Sequence, residues 1–373
     1  MKRLVILLLL MPFLMLGSAQ NVYDITRFGA VGNGVDDCTK AINSAIVKCN
    51  KKGGGVVLVP AGTYLSSTIH LLSDVELRLE KDAVILGVDD PERYSSYKPD
   101  HDMSRYDSGN GTANANCSSD ERWTKALILG VGLHNIAITG EGTIDGRHVF
   151  DPQGEEAMRG PHTIILAECT NVRMEGFSVA RASNYAFLCY ALEDAVFKRM
   201  LITEGWDGIH IRGGKNVEIS ECTFKTGDDA IAGGYWENML IHDCYINSSC
   251  NGVRMIMPSV GLEIRDCTFQ GPGIYPHRTS GVDKRKNMLF AISLEPGGWG
   301  AAPGDLKNIY LHHLTMDNLS APVSISIRKE CHAYDLTLEE ISATHILKTM
   351  SPTVCWNDTG FDKITIRNVT VSR

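Results

Sequence analysis

Glu204-Gly-Trp-Asp-Gly-Ile-His-Ile211 and, one interval later, Thr226-Gly-Asp-Asp-Ala-Ile-Ala-Gly-Gly234 organise the rest of the chain. Together they hold three carboxylates in two clusters, Asp207 and then Asp228 with Asp229. Between them Asn216-Val-Glu-Ile-Ser-Glu-Cys-Thr-Phe224 alternates apolar and polar side chains, the period of a half-buried strand. If the chain coils once in that interval, residues about 22 positions apart stack side by side. Asp207 then lies on the rung next to Asp228 and Asp229. A cluster of acids is costly, because like charges disfavour one another's ionisation. It suits chemistry in which one carboxyl holds a proton while another acts as base.

The same interval recurs outward from this stretch. An Asn/Asp-led pattern of alternating apolar residues starts at Asn171, Asp194, Asn216, Asn238, Gly261, Asn308, Asp335 and Lys363, with a partial copy at Asn135. Each copy reads as one coil of a solenoid, burying its apolar positions against the coils above and below. The long gap between Gly261 and Asn308 is expected to hold two coils, the extra one near Asn287. A second strand follows each first one: Asp207-Gly-Ile-His-Ile, Asp229-Ala-Ile-Ala-Gly, Asn251-Gly-Val-Arg-Met, Phe290-Ala-Ile-Ser-Leu and Val323-Ser-Ile-Ser-Ile. Stacked, these make a sheet whose outward positions include His210, Arg254, Glu295 and Arg328. The fold class is all-β, a parallel β-helix, with residues 20–373 as one elongated domain.

Only one helix is expected, after Asp36 and Asp37, with Ala41, Ile42, Ala45 and Ile46 on one apolar face and Gly53-Gly-Gly55 ending it. It would cap the open end of the solenoid, where unpaired edge groups invite aggregation. Residues 90–123 carry Tyr94, Tyr97, Tyr106 and Trp123 in a stretch without period, a long surface loop. Its aromatics fit either sugar binding or packing of the loop on itself. Residues 1–19 read as a secretory signal: Lys2 and Arg3, an apolar run over 4–16, and small residues up to a cleavage site near Ala19. The run is too short for a membrane span. A secreted or periplasmic protein, a monomer, is expected.

Thirty-six basic against 44 acidic residues give a formal net charge of −8, which argues against nucleic acid as a partner. The 11 cysteines would suggest disulfides in an exported chain. Cys222, Cys244 and Cys267, however, fall at one place in consecutive repeats and read as a ladder of small buried hydrophobes. The absence of a Cys-x-x-Cys pair gives no support to a zinc site, and no metal or cofactor is expected.

Residues 22–79, including Phe28-Gly-Ala-Val-Gly32 and Val59-Pro-Ala-Gly-Thr-Tyr64, together with Gly142-Thr-Ile-Asp-Gly146, resemble the polygalacturonase family, glycoside hydrolase family 28. Asp207-Gly-Ile with Thr226-Gly-Asp-Asp229 resembles that family's Asn-Thr-Asp and Gly-Asp-Asp motifs. The resemblance implies a right-handed parallel β-helix and an inverting hydrolase with Asp228 as general acid and Asp207 and Asp229 activating water. A carboxyl between two others is expected to have the raised pKa, and inversion to need acid and base roughly 6.5–9.5 Å apart.

Three departures stand out. Gly205-Trp-Asp207 replaces Asn-Thr-Asp, Cys250-Asn-Gly252 stands where the family has Gly-His-Gly, and Ser293-Leu-Glu295 stands for a carboxylate-gripping Arg-Ile-Lys. Arg254 and the basic segment 271–286, with His277, Arg278, Lys284, Arg285 and Lys286, are candidates to compensate. His210, Asn251, Arg254, Arg278, Glu295 and Trp206 are the expected substrate-binding residues, with a salt bridge the other reading of Glu295. Trp236, Trp299 and Trp356 are candidates for sugar stacking or for packing. The substrate expected is a pectin-like or other acidic polysaccharide or its fragments. The alternatives are a polysaccharide lyase, with the acids on calcium and Arg254 as base, and a carbohydrate-binding solenoid without turnover.

Overall fold

The computed structural model describes residues 21–107, 116–278, 285–298, 302–328, 330–347, 353–355 and 362–373. The leader at 1–19, Lys284, Trp299 and Trp356 lie outside them. Parallel strands linked rung to rung into one continuous sheet form a right-handed parallel β-helix. Eight strands stack into the face that concerns function: β1 (Ala126–Val131), β2 (His162–Ala167), β3 (Phe187–Lys198), β4 (Ile209–Ser220), β5 (Ile231–His242), β6 (Asn251–Met255), β7 (Phe290–Leu294) and β8 (Ala321–Ile327). Each pairs in parallel with the next. Between β3, β4 and β5 the register advances by 22 residues, Phe187↔Ile209↔Ile231.

The residues that open the repeats, Lys363 excepted, sit at corners of the coil. Asn135, Asn171, Asp194, Asn216, Asn238, Asn308 and Asp335 all have φ between 52° and 57°, and Gly261 has 76°. Asn, Asp and Gly tolerate this left-handed backbone better than other residues. The asparagines also bond up the stack: Asn171 Nδ2 donates to Asn135 Oδ1 (2.7 Å), Asn216 Nδ2 to Asp194 Oδ1 (2.9 Å), and Asn238 Nδ2 to Asn216 Oδ1 (3.2 Å). The repeat signature is thus a corner requirement. From these corners alternate residues turn inward, and Val217, Ile219, Met239, Ile241, Leu262 and Ile264 are fully buried or nearly so. The thiols of Cys222, Cys244 and Cys267 follow one another in the core, and the ten described cysteines that the structure assigns are free.

Helix α1 (Thr39–Lys51) lays Ala41, Ile42, Ala45, Ile46 and Cys49 over the first coil, closing that end. Asp37 accepts from Thr39 N (2.8 Å) at its start, whereas Asp36 is taken up by Asn33 Nδ2 (2.9 Å). The expected extra coil near Asn287 is absent. Leu262 pairs directly with Ile309, and Asn251 with Phe290. The surplus residues make excursions from one coil instead, because a coil must match its neighbours' perimeter to pair with them. Among the described residues no helix is long and apolar enough to cross a membrane.

The aromatics of residues 90–123 pack. Tyr97, Met103 and Trp123 join Leu129, Ile165, Leu188, Tyr190 and Trp206 in a second hydrophobic cluster on the outer face of β1–β3, and Tyr94 joins the main core. The described part of the loop therefore covers the outer sheet as far as Trp206. The corner argument predicts that Asn216→Val, with a β-branched side chain forced to positive φ and two ladder bonds lost, destabilises the fold by about 2–3 kcal/mol. Asn216→Gly, which keeps the backbone relaxed, should cost about 1 kcal/mol. Equilibrium urea unfolding of both variants checks this ordering.

Candidate active site

Asp207 and Asp229 stand two residues before β4 and β5, and Asn251 opens β6, so the three fall in one column. Gly208 N donates to Asp229 O (2.9 Å) and Ala230 N to Asn251 O (3.0 Å). Gly208 is required here: a Cβ would lie 2.4 Å from Ala230 O. The preceding residues make an adjoining column, Asn184, Trp206, Asp228 and Cys250, with Trp206 N on Asn184 O (3.4 Å) and Asp228 N on Trp206 O (3.3 Å). An oxygen from each of Asp207, Asp228 and Asp229 lies within 4.8 Å of the other two. That is closer than the separation expected for inversion, because neighbouring coils are themselves only about 4.8 Å apart.

Each carboxylate is held differently. Asp207 is buried, accepts from Asp229 N (3.2 Å) through Oδ1, and meets His210 Nδ1 (2.7 Å) through Oδ2. Arg212 Nε donates to His210 Nε2 (3.1 Å), so the neutral ring carries its hydrogen on Nδ1 and donates it to Asp207. Burial, then Arg212 and His162, push the imidazole pKa down and keep that ring neutral. Burial, then the charges of Asp228 and Asp229, push the Asp207 carboxyl well up. Asp229, equally buried, accepts from Asn251 N (3.0 Å) and Nδ2 (2.8 Å); burial raises its pKa against the pull of Arg254 at 3.6 Å.

Asp228 reverses the expectation that the flanked carboxyl is the raised one. Burial works to raise it, but His277 Nε2 at 3.3 Å, Arg159 at 3.7 Å and Arg254 together hold it well below the usual carboxylate range. Its side chain is also the most accessible of the three, 14% exposed against 4% for Asp207 and 3% for Asp229.

The expected sugar-binding residues divide. His210 is covered: it is 1% exposed, stacked on Tyr185 (4.9 Å, 4°), with its Nδ1 on Asp207. Asn251 is buried and spends its amide on Asp229. Trp206 is no open platform, since it is 1% exposed with the guanidinium groups of Arg159 (4.8 Å) and Arg278 (4.7 Å) over its ring. Trp236 is likewise buried, its Nε1 donating to Ile211 O (2.9 Å). Over Trp206 the cover comes from distant segments, through Arg159 and Arg278, whereas Trp236 lies in the main core. Arg254 and Glu295 retain partial exposure at the rim and bond to each other (2.5 Å), the salt-bridge reading of Glu295. Arg278 also lies at the rim, bonded to His148, whose pKa burial and Arg278 push down to about 4.

Sequence reasoning missed two residues. Arg159 comes from an irregular segment with no periodic signal, yet links Asn184 to Asp228 across Trp206. Arg212 is fully buried; it ties His210 to the backbone oxygens of Tyr106 (3.2 Å) and Asn116 (2.9 Å), and so connects the roofing loop to Asp207. His277 was visible only as part of a basic run. Its placement on Asp228 depends on the excursion folding back, with His277 N on Arg285 O (2.8 Å). Asp207, Asp228 and Asp229, or Asp228, Cys250 and His277, have the spacing to ligate a cation, although Arg159 and Arg254 already neutralise part of that charge.

Fold and site define a polygalacturonase-like parallel β-helix. The chain belongs to the family described as rhamnogalacturonase A/epimerase, pectate lyase-like, which it matches over residues 21–272. It is 27% identical over 326 residues to a probable polygalacturonase of Vitis vinifera, covering 79% of this chain and 60% of that one. Among solved structures, an exopolygalacturonase of Thermotoga maritima superposes with a TM-score of 0.66 at 17% identity, over 94% of this chain and 92% of the other. The Streptococcus pneumoniae surface protein and adhesin PfbA also superposes, with a TM-score of 0.59 at 15% identity, over 94% and 97%. The shared solenoid therefore does not select a function; the site must.

A carboxyl whose folded pKa is raised favours the fold at low pH, and that contribution is lost as pH rises through the folded value. Asp207→Asn removes a buried charge the fold resists. The melting temperature of the variant relative to the native protein should therefore increase between pH 5 and pH 8, as thermal unfolding at the two pH values would show.

Proposed function

We propose that this protein is an exported glycoside hydrolase that cleaves a pectin-like, uronate-containing polysaccharide or its oligosaccharides by inversion. The observation that carries this reading is the convergence of Asp207, Asp228 and Asp229 on one outer face, with only Asp228 reaching the surface. Asp228 can approach a glycosidic oxygen. His277 Nε2 stands 3.3 Å from that carboxyl, whereas Asn251 is spent on Asp229. Asp207 and Asp229 are too enclosed to attack an anomeric carbon, which disfavours a covalent glycosyl intermediate, but either of them, once ionised, can take a proton from a water lodged against it. Arg212 and His210 would hold Asp207 in orientation, and Asn251 and Arg254 would hold Asp229. Arg254, Arg278 and Arg285 around the rim supply cations for a uronate carboxylate.

Incubation with pectic polysaccharides should release reducing ends without the ultraviolet absorbance of an unsaturated product, and proton NMR of the first product should show the inverted anomer. Asp228→Asn should lower kcat by about 10²–10⁴-fold. An absorbing product would establish elimination instead, and binding without turnover would establish a lectin-like solenoid. His277→Ala should raise the pKa of the Asp228 carboxyl, because the imidazole is the first group that holds it down against burial, as a carboxyl carbon NMR titration would show. An unmoved carboxyl would exclude His277 from setting the charge of Asp228.

A further inference from the structure

Cys250 follows Asp228 in its column, one coil further along the solenoid, and the excursion that carries His277 folds back beside both. One ligand atom from each of Asp228, Cys250 and His277 lies within 4.8 Å of the other two. Metal bonds of about 2.0–2.3 Å at the tetrahedral angle put neighbouring ligand atoms about 3.3–3.6 Å apart. Asp228 Oδ2 and His277 Nε2 already have that spacing, at 3.3 Å. The surroundings of the sulfur set Cys250 apart from the cysteines of the core. Cys222, Cys244 and Cys267 each point a thiol at the carbonyl oxygen two residues back, at 3.2 Å. The Cys250 sulfur, buried, instead accepts from Arg285 Nη2 (3.3 Å) and Asn251 Nδ2 (3.4 Å). Donors aimed at sulfur are the outer partners that a metal-bound thiolate needs. In the absence of a cation, burial and the charges of Asp229 and Asp228 push the thiol pKa up and keep its proton on sulfur. A metal displaces that proton to solvent.

We infer that Asp228, Cys250 and His277 bind a zinc-like dication, with the fourth position left to water. Thiolate and imidazole donors select zinc over calcium or magnesium, which take oxygen ligands. Asp207 and Asp229 are poorer ligands, because their oxygens already accept from His210, from Asp229 N and from Asn251. The arginines that approach Asp228 have carboxylates of their own, Glu155 and Glu156 for Arg159, Asp229 and Glu295 for Arg254. One dication, one carboxylate and one thiolate make a neutral cluster, so those pairs stay intact. No zinc motif announces the site in the sequence, because two ligands are a coil apart and the third comes from an excursion. A bound ion takes the carboxylate through which Asp228 would protonate a leaving group, and so switches the acid off. That consequence rests on the hydrolase reading, whereas the binding does not.

The full chain, reduced and stripped with a chelator, is titrated with zinc chloride in a calorimeter and with cobalt(II) in an absorption cell. Zinc should bind saturably at micromolar concentration. Cobalt should give the visible bands of a tetrahedral site together with a sulfur-to-metal charge-transfer band. Cys250→Ser should abolish the charge-transfer band. His277→Ala, a change at the rim that spares the coil, should weaken zinc binding at least about tenfold. No saturable binding at micromolar zinc, a cobalt spectrum without the sulfur band, a band that survives Cys250→Ser, or an affinity indifferent to His277→Ala would each overturn the inference. Turnover is read separately. Zinc should stop the release of reducing ends by the native protein and a chelator should restore it; turnover that persists at saturating zinc overturns the switch. A protein that binds the ion but releases no reducing ends even without it loses the hydrolase assignment and keeps the metal site.

Discussion

Everything in this molecule depends on parallel backbone pairing between coils of equal perimeter. Because one coil takes 22 residues through β3, β4 and β5, a residue and its counterpart a coil later share a column. The left-handed corners at Asn, Asp and Gly keep that count, since a one-residue slip would move a residue unsuited to positive φ into the bend. Two consequences follow at once. Apolar residues stack on apolar residues inside, and Asp207 is carried beneath Asp229 whatever the electrostatic cost.

That cost is met in two ways. Asp207 and Asp229 are enclosed, and burial with neighbouring like charge raises their pKa values, while donors from His210 and Asn251 respectively satisfy the carboxyl oxygens. Asp228 is surrounded by cationic groups from outside the coil, Arg159 from one excursion and His277 from another, and its pKa falls. The regular solenoid thus supplies the positions of the acids, and the irregular segments set their protonation.

The departures from the polygalacturonase pattern become coherent on this view. Tryptophan at 206 would be an exposed aromatic on an isolated strand, but Arg159 and Arg278 close over it and it becomes buried packing beside the acids. Asparagine at 251 gives up any proton transfer and positions Asp229, while the imidazole beside Asp228 arrives from residue 277. Glu295, in place of a cation, bonds to Arg254 of the preceding coil, whose register partner is Ser293. Charge lost at one coil position is restored from another segment.

The sequence by itself determined the solenoid, its corners, the capping helix, the core cysteines and the convergence of the three acids. All of these follow from local periodicity and from a repeat length that fixes register. It could not distinguish one coil with long excursions from two coils between Gly261 and Asn308, since only pairing partners decide that. Nor could it tell that His210 and Trp206 are covered, because alternation along a strand states which side of the sheet a residue faces and not what packs over that side. The protonation of the acids was likewise decided by tertiary structure alone. It depends on Arg159, His277 and Arg254 within a few ångströms of Asp228, drawn from segments up to about 70 residues distant whose ordering has no periodic signal.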